Sequence, residues 1–277
     1  MRKLMRANLF HLFRNNVFWL ELTATVFFAG WIALANYSPE IQAGAERLYL
    51  DDIFFNFYQL LSVFLAAGIG LILGTEYSDG TLRNKLIAGH SRGAVYFSLL
   101  FTAMLSAVLV VLSHGAVTYG MGRFLFGKIQ MPLLQFAELV LLAALDALVF
   151  AALFTAIALN CPSKASGAVI CLILSLALTF GTNMVYNKLR EPEMSYDGIR
   201  ITQDGIQLGE MIPNPAYVSG MTRKAFEFVC DLLPSGQLMQ IQAMELERAA
   251  RWLPLSLLLL VGVTAVGCGM FLKRDLK

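Results

Sequence analysis

The sequence is short of charge. Asp, Glu, Lys and Arg make up 14% of its 277 residues, against roughly a quarter in soluble domains, too few to coat a water-facing surface. The shortage is uneven: charge is missing from long blocks and gathered between them, the pattern of membrane spans with wet connections. The formal net charge is +2. Basic tracts are lacking and the aromatics sit in the apolar blocks, which excludes a nucleic-acid partner. Cysteine is scarce: Cys161, Cys171, Cys230 and Cys268 form no CxxC pair, which excludes a zinc site or disulfide framework. All but Cys230 suit small buried hydrophobes. The three histidines, His11, His90 and His114, are scattered, and HExxH and GxSxG are absent, so the chain has no metal or catalytic constellation and is not an enzyme. The phosphate-binding GxxxxGK[ST] loop is missing too; Gly68, Gly70 and Gly74 lie in an apolar block without the lysine.

What is present is apolar length. About 20 apolar residues cross the hydrocarbon core, and six segments qualify: 17–35, 53–74, 94–119, 133–159, 166–185 and 252–272. Backbone groups in lipid must be satisfied within their own segment, so the spans are helices. The first span follows Arg2, Lys3 and Arg6 but is too long for a signal core, and no small-residue cleavage site follows; it belongs to the mature chain. The expected fold is an all-α membrane protein: an interfacial helix over 1–16, spans one to five over 17–185, a polar extracellular segment over 186–251, and span six with a tail over 252–277.

Orientation follows from Lys and Arg near the span ends. Arg2, Lys3, Arg6 and Arg14, then Arg83, Lys85 and Arg92, then Lys273, Arg274 and Lys277 all fall on one side of a six-span chain. Opposite them Glu40, Glu46, Asp51 and Asp52 outnumber Arg47. Both termini are expected in the cytoplasm of a plasma-membrane protein, with Arg123 and Lys128 dissenting. Residues 2–16 read as an amphipathic helix in the interface plane, with Met5, Leu9, Leu12 and Phe13 on one face. In 186–251, Ile199 to Thr202 and Ile206 to Leu208 flank Asp204-Gly205, a hairpin pattern. A helix is expected over 222–233, and a second, capped by Ser235, to about 250, both lying on the outer mouth of the bundle or dipping into it.

The loop between spans two and three reads as a short helix over 79–89. Asp79 or Ser78 can cap its start, Leu82, Leu86 and Ile87 form its apolar face, Arg83 and Lys85 point elsewhere, and Gly89 ends it. The alternatives are a plain positive-inside loop and a docking element, and the apolar face favours docking.

That stretch, Glu76 with Gly80-Thr81-Leu82-Arg83-Asn84-Lys85-Leu86-Ile87, Gly89 and Ser91-Arg92, resembles the permease subunits of ABC-2 type exporters, closest to the branch of antimicrobial-peptide and drug-resistance permeases. Asn214 to Gly220 and Asp231 to Gln237 match it in the outer segment. The resemblance implies two permeases, identical or homologous, paired in the membrane, and two cytoplasmic ATPase subunits that carry ATP and Mg. It further implies a coupling helix formed by Asp79, Gly80, Thr81, Leu82, Arg83, Lys85, Leu86 and Ile87. ATP-driven motion there would rock the pair between inward- and outward-facing states and export an amphipathic or peptide-like cargo. This chain itself binds no cofactor; Leu233 to Gln237 superficially recasts the ATPase signature loop, but Pro234 lacks the backbone donor that loop needs.

Ionisable residues inside spans are functional candidates, because burying them is costly. Glu138 and Asp146, eight apart in span four, fall near one face, and His114 lies in span three. They either line an export cavity or bond one span to another. Glu21 is expected at the interface. The rival function is an ion-coupled secondary transporter using Glu138 and Asp146 as proton carriers, though inverted repeats and broken helices are not evident. An intramembrane enzyme or a membrane anchor is the third class.

Overall fold

The computed structural model describes residues 2–39, 42, 44, 47–202 and 205–274. Glu40, Glu46, Asp204 and Lys277, used above, lie outside the described residues.

Among the described residues, six helical segments are long and apolar enough to cross a membrane. The chain opens with α1, Arg2–Arg14, which packs along the start of α6. The strip it buries is Leu4, Asn8 and Leu12, rather than the expected face of Met5, Leu9, Leu12 and Phe13; Phe13 is exposed. Asn8 decides this rotation, since its amide donates to Ser98 Oγ at 3.0 Å. Asn15 then breaks the helix and its side chain accepts from Val17 N at 2.8 Å, capping α2, Asn16–Ala35.

The second span is broken. A short α3, Leu50–Phe54, precedes α4, Tyr58–Ser78. Long-range bonds hold the break: Asp51 accepts from the backbone of Gln130 and Met131, at 2.9 Å for Met131, tying α3 to the loop that joins α6 and α7. After α5, Thr81–Ile87, the chain runs through α6, Arg92–Leu125, α7, Leu133–Asn160, and α8, Lys164–Leu189. At 34 residues, α6 is about 51 Å long, well beyond a ~30 Å hydrocarbon core. Ser91 caps it through Ala94 N, and Ser163 and Ser166 form a reciprocal box at the start of α8.

The expected hairpin is longer than its sequence pattern. β2, Ile199–Thr202, pairs antiparallel with β3, Gly205–Leu208, and outside them β1, Met194–Tyr196, pairs with β4, Met211–Pro213, in register from Met194↔Pro213 to Tyr196↔Met211. Two helices follow, α9, Gly220–Leu232, and α10, Pro234–Gln242. Pro234 starts α10 and Ser235 makes no cap bond; α10 stops at Gln242, short of 250, and α11 runs over Ala249–Lys273. Every residue from Pro234 to Ile241 is buried. Of the two expected placements α10 takes the deeper one, dipping into the bundle, where it is wedged among α4, α7 and α8.

α4 and α7 form the centre. α4 packs on α7 and α8, α7 also packs on α6 and α11, and α6 carries α2. The shared core runs from Phe57, Leu61 and Leu65 through Ala143, Phe150 and Phe154 to Trp252 and Phe271. α2, α8 and α11 turn large apolar side chains outward, Phe27, Trp31, Phe180 and Val261 among them, which suits lipid-facing helices. One end of the bundle, here proximal, carries α1, α5 and Arg274. The other, distal, carries α3, the hairpin, α9 and α10.

Candidate functional site

Two groups of residues carry chemistry: the proximal helix α5 and the polar side chains buried within the bundle.

α5 is Thr81–Ile87, not 79–89. Asp79 closes α4, and neither it nor Ser78 caps α5. The cap position is Gly80, at φ +67°, a left-handed conformation that glycine adopts without strain. The far end closes as a Schellman motif: Gly89 at φ +86° donates to Leu86 O, and His90 donates to Lys85 O. Lys85 does not face outward. Its Nζ meets Glu76 Oε2 at 2.5 Å, with both side chains nearly buried. Thr81 Oγ1 donates to the same carboxylate and to Glu76 O at 3.0 Å. Leu82 is buried in the core and Leu86 packs against it. Ile87 breaks from that face and is 73% exposed; Arg83 and Asn84 are exposed beside it. The helix is therefore braced on α4 through Glu76 and shows a small surface of Arg83, Asn84 and Ile87.

Two arginines bind the neighbouring helix ends. Arg274 donates to Leu159 O at 2.6 Å and Cys161 O at 2.8 Å and lies 4.8 Å over the Tyr77 ring. Arg92 donates to Leu272 O at 3.1 Å and to Arg274 O. The ends of α7 and α11 and the start of α6 are thus joined through otherwise unpaired carbonyls, and the end of α4 through the Tyr77 ring.

Among the buried polar groups, His114 is fully enclosed. Its Nε2 lies 3.1 Å from Phe54 O, a carbonyl left free by the α3–α4 break, and its ring stacks on Phe57 at 4.4 Å. It secures the break. Asp146, at the middle of α7, is also fully buried; Ser256 Oγ donates to it at 3.0 Å and stands 3.0 Å from Gln237 Oε1. Gln237 Nε2 in turn donates to Asp231 O at 2.7 Å. Asp146 therefore links α7 to α11 and the α10 wedge. Glu138 does not join it: eight residues are about 80° out of phase on a helix, and Glu138 is exposed near the distal end of α7. Asp231 is buried at the top of the same network, accepting from Trp252 Nε1 at 3.2 Å. Beside it, burial pushes the Cys230 thiol up to about 11.

The residue that sequence reasoning placed wrongly is Glu21. It is 6% exposed, and neither carboxylate oxygen has a hydrogen-bond partner among the described residues. It lies against Gly68, the midpoint of α4, where a Cβ would come within 2.0 Å of Oε2. Its place five residues from the start of α2 suggested an interfacial position, but α4 extends ten residues beyond Gly68 toward the proximal end. The available signal was a lone acid in an otherwise uncharged block.

Residues 6–182 match the family described as ABC-2 family transporter protein, a range that begins within α1, takes in Glu21, α5, His114, Glu138 and Asp146, and ends within α8. Comparison with curated proteins gives no match.

Proposed function

This chain belongs to the ABC-2 transporter family, and from that premise we propose that it is the membrane-spanning permease of an exporter driven by two separate cytoplasmic ATPases. Two permeases, this one and a copy or homologue, pair in the membrane. The proximal end with both termini faces the cytoplasm, in line with its clustered Lys and Arg. ATP and Mg stay on the ATPases. The cargo is amphipathic or peptide-like, as in the antimicrobial-peptide and drug-resistance branch that the loop after span two resembles.

The observation that carries this reading is the construction of α5. A helix bracketed by Gly80 and Gly89 and fastened to α4 by the Glu76–Lys85–Thr81 cluster moves as one piece with α4, so a push on its exposed surface is delivered to the bundle centre. A slack loop would absorb it. Arg83 and Ile87 are the side chains placed to meet the ATPase; Leu82 is not, because it is spent in this chain's own core. Co-expression with the cognate ATPase tests this. I87D with R83E should cut co-purified ATPase at least tenfold, the scale of losing a central interface contact, with membrane insertion unchanged. Undiminished ATPase would remove the docking role.

A second reading is favoured by one observation, the unpartnered Glu21 carboxyl, which suits an ion-coupled carrier. Transport by reconstituted E21Q that still follows ATP and ignores a proton gradient would exclude it.

A further inference from the structure

Glu21 is more than nine-tenths buried inside a span and has no ion pair among the described residues. The elements packed against α2 bring it no charge. α4 presents Gly68 and α6 presents Ser106. The cations of α1, Arg2, Lys3, Arg6 and Arg14, are exposed. Glu76 of α4 is held by Lys85. On α6, Arg92 is bound to the end of α11, Arg123 is exposed and His114 is bonded to Phe54 O. A carboxylate in such a place lacks what makes burial of a charge tolerable.

A row of hydroxyls leads away from it. Ser98, Thr102 and Ser106 recur at every fourth residue of α6, all buried, so they share one face at steps of about 6 Å. At the proximal end of the row Asn8 of α1 donates to Ser98, and its own Oδ1 is buried without a partner among the described residues. Asn8, His11, Thr75, Glu76 and Thr102 line a cavity of about 30 Å³, room for one water. His11, itself exposed, carries that wall to the surface. Between Thr102 and Ser106 the row closes: Leu12, Ile69, Ile72 and Leu73 leave a gap too small for a water.

We propose that Glu21 is a proton-binding site, reached from the proximal end past Thr102 and Ser106 and gated by Leu12. The ligand is a proton because a gap that excludes water excludes a hydrated cation too. Steps of about 6 Å exceed a hydrogen bond, so transfer waits until α1 swings at Asn15 and Leu12 withdraws, admitting water. The carboxyl O–H bond then breaks. Its proton passes by Ser106 and Thr102, each hydroxyl taking one proton and giving up its own, to the water beside Asn8, which becomes hydronium; a carboxylate remains. Uptake reverses each transfer. Hydroxyls can relay in this way because they both donate and accept. The site goes beyond both readings of transport and depends on neither, since a proton that enters and leaves by one route is exchanged and not carried across.

The test uses the full chain in an ester-free detergent, which leaves the infrared carboxyl region clear. A protonated carboxyl gives a C=O band that a carboxylate lacks, and the band shifts when deuterium replaces the proton. At neutral pH wild type should show such a band and E21Q should lose it. On transfer to heavy water, T102V, which keeps the side chain's shape, should slow the shift about tenfold, the scale of one lost hydrogen bond. L12A, which leaves a void at the gap, should speed it about tenfold or more, while backbone amide exchange, read in the same spectra, keeps its wild-type rate. Identical carboxyl bands in E21Q and wild type would overturn the proton site. A wild-type rate in T102V or in L12A, or a gain in L12A matched by the amides, would overturn the gated route.

Discussion

Single residues in this bundle act through what lies against them. Glu21 fits only because Gly68 lacks a side chain, so G68A must displace the carboxyl. A loss of about 1–3 kcal/mol of stability is expected, the usual scale of overpacking. Removing the carboxyl as well, in E21A/G68A, should restore part of it; a double-mutant cycle in detergent melting checks the coupling, and additive effects would show that the two do not meet. Asp146 is enclosed by Ser256 and the Gln237 side chain beyond it. D146N, of the same shape, should fold and transport near wild-type levels, whereas D146A leaves a void and an orphaned hydroxyl and should cost about 2 kcal/mol. A transport defect in D146N without a stability change would return Asp146 to the export path. Cys230 offers a pH readout. Its thiol ionises near 11 in the folded chain and near 8.5 when unfolded. Above pH 8.5 the unfolded state therefore loses its proton first, and stability falls as pH rises toward 11. Below 8.5 the contribution is intact. Melting temperatures from pH 7.5 to 10.5 should decline more steeply for wild type than for C230A.

At the scale of elements, the brace between α5 and α4 should separate binding from coupling. K85M keeps the aliphatic stem but removes the ion pair with Glu76, leaving Arg83 and Ile87 in place. ATPase co-purification should persist while transport per ATP hydrolysed falls; loss of both together would show that Lys85 contributes to docking instead. The same elements show what a sequence can and cannot reveal. The spans were legible because apolar length is a local property, and α5 because Gly89 ends it and Leu82 and Leu86 mark its apolar face, although its start was set at Asp79 or Ser78 rather than Gly80. The break between α3 and α4 was hidden: Phe55, Asn56 and Phe57 contain no proline or glycine, and the break is held from outside by Asp51 and His114, each bonded across the fold. The placement of α10 was hidden for a related reason. Gln237 and Gln240 read as surface, yet three of their partners, Asp231, Ser256 and Arg248, lie outside α10 and make burial tolerable. Glu138 and Asp146 looked like a pair because helical phase was approximated; their burial separates them completely.

For the whole molecule, the arginine ties at the proximal end set how far motion spreads. Arg274 joins the ends of α7 and α11, and Arg92 joins α6 to α11. R274Q should free the last turn of α11 and lower the melting temperature, with faster amide exchange confined to the proximal ends of α7 and α11. Exchange that rises evenly along the chain would mean a general loss of stability instead. The wedge of α10 has a consequence for how the molecule is made. Its residues leave the ribosome before α11 does, yet Ser256 and Trp252, which close its polar network, belong to α11. Until the 25-residue α11 is inserted, the segment from Pro234 to Gln242 has no finished seat. The helix made after the wedge is therefore the one that locks it, and a nascent chain stalled before Ala249 should remain open to protease at the wedge, whereas a chain extended through α11 is not.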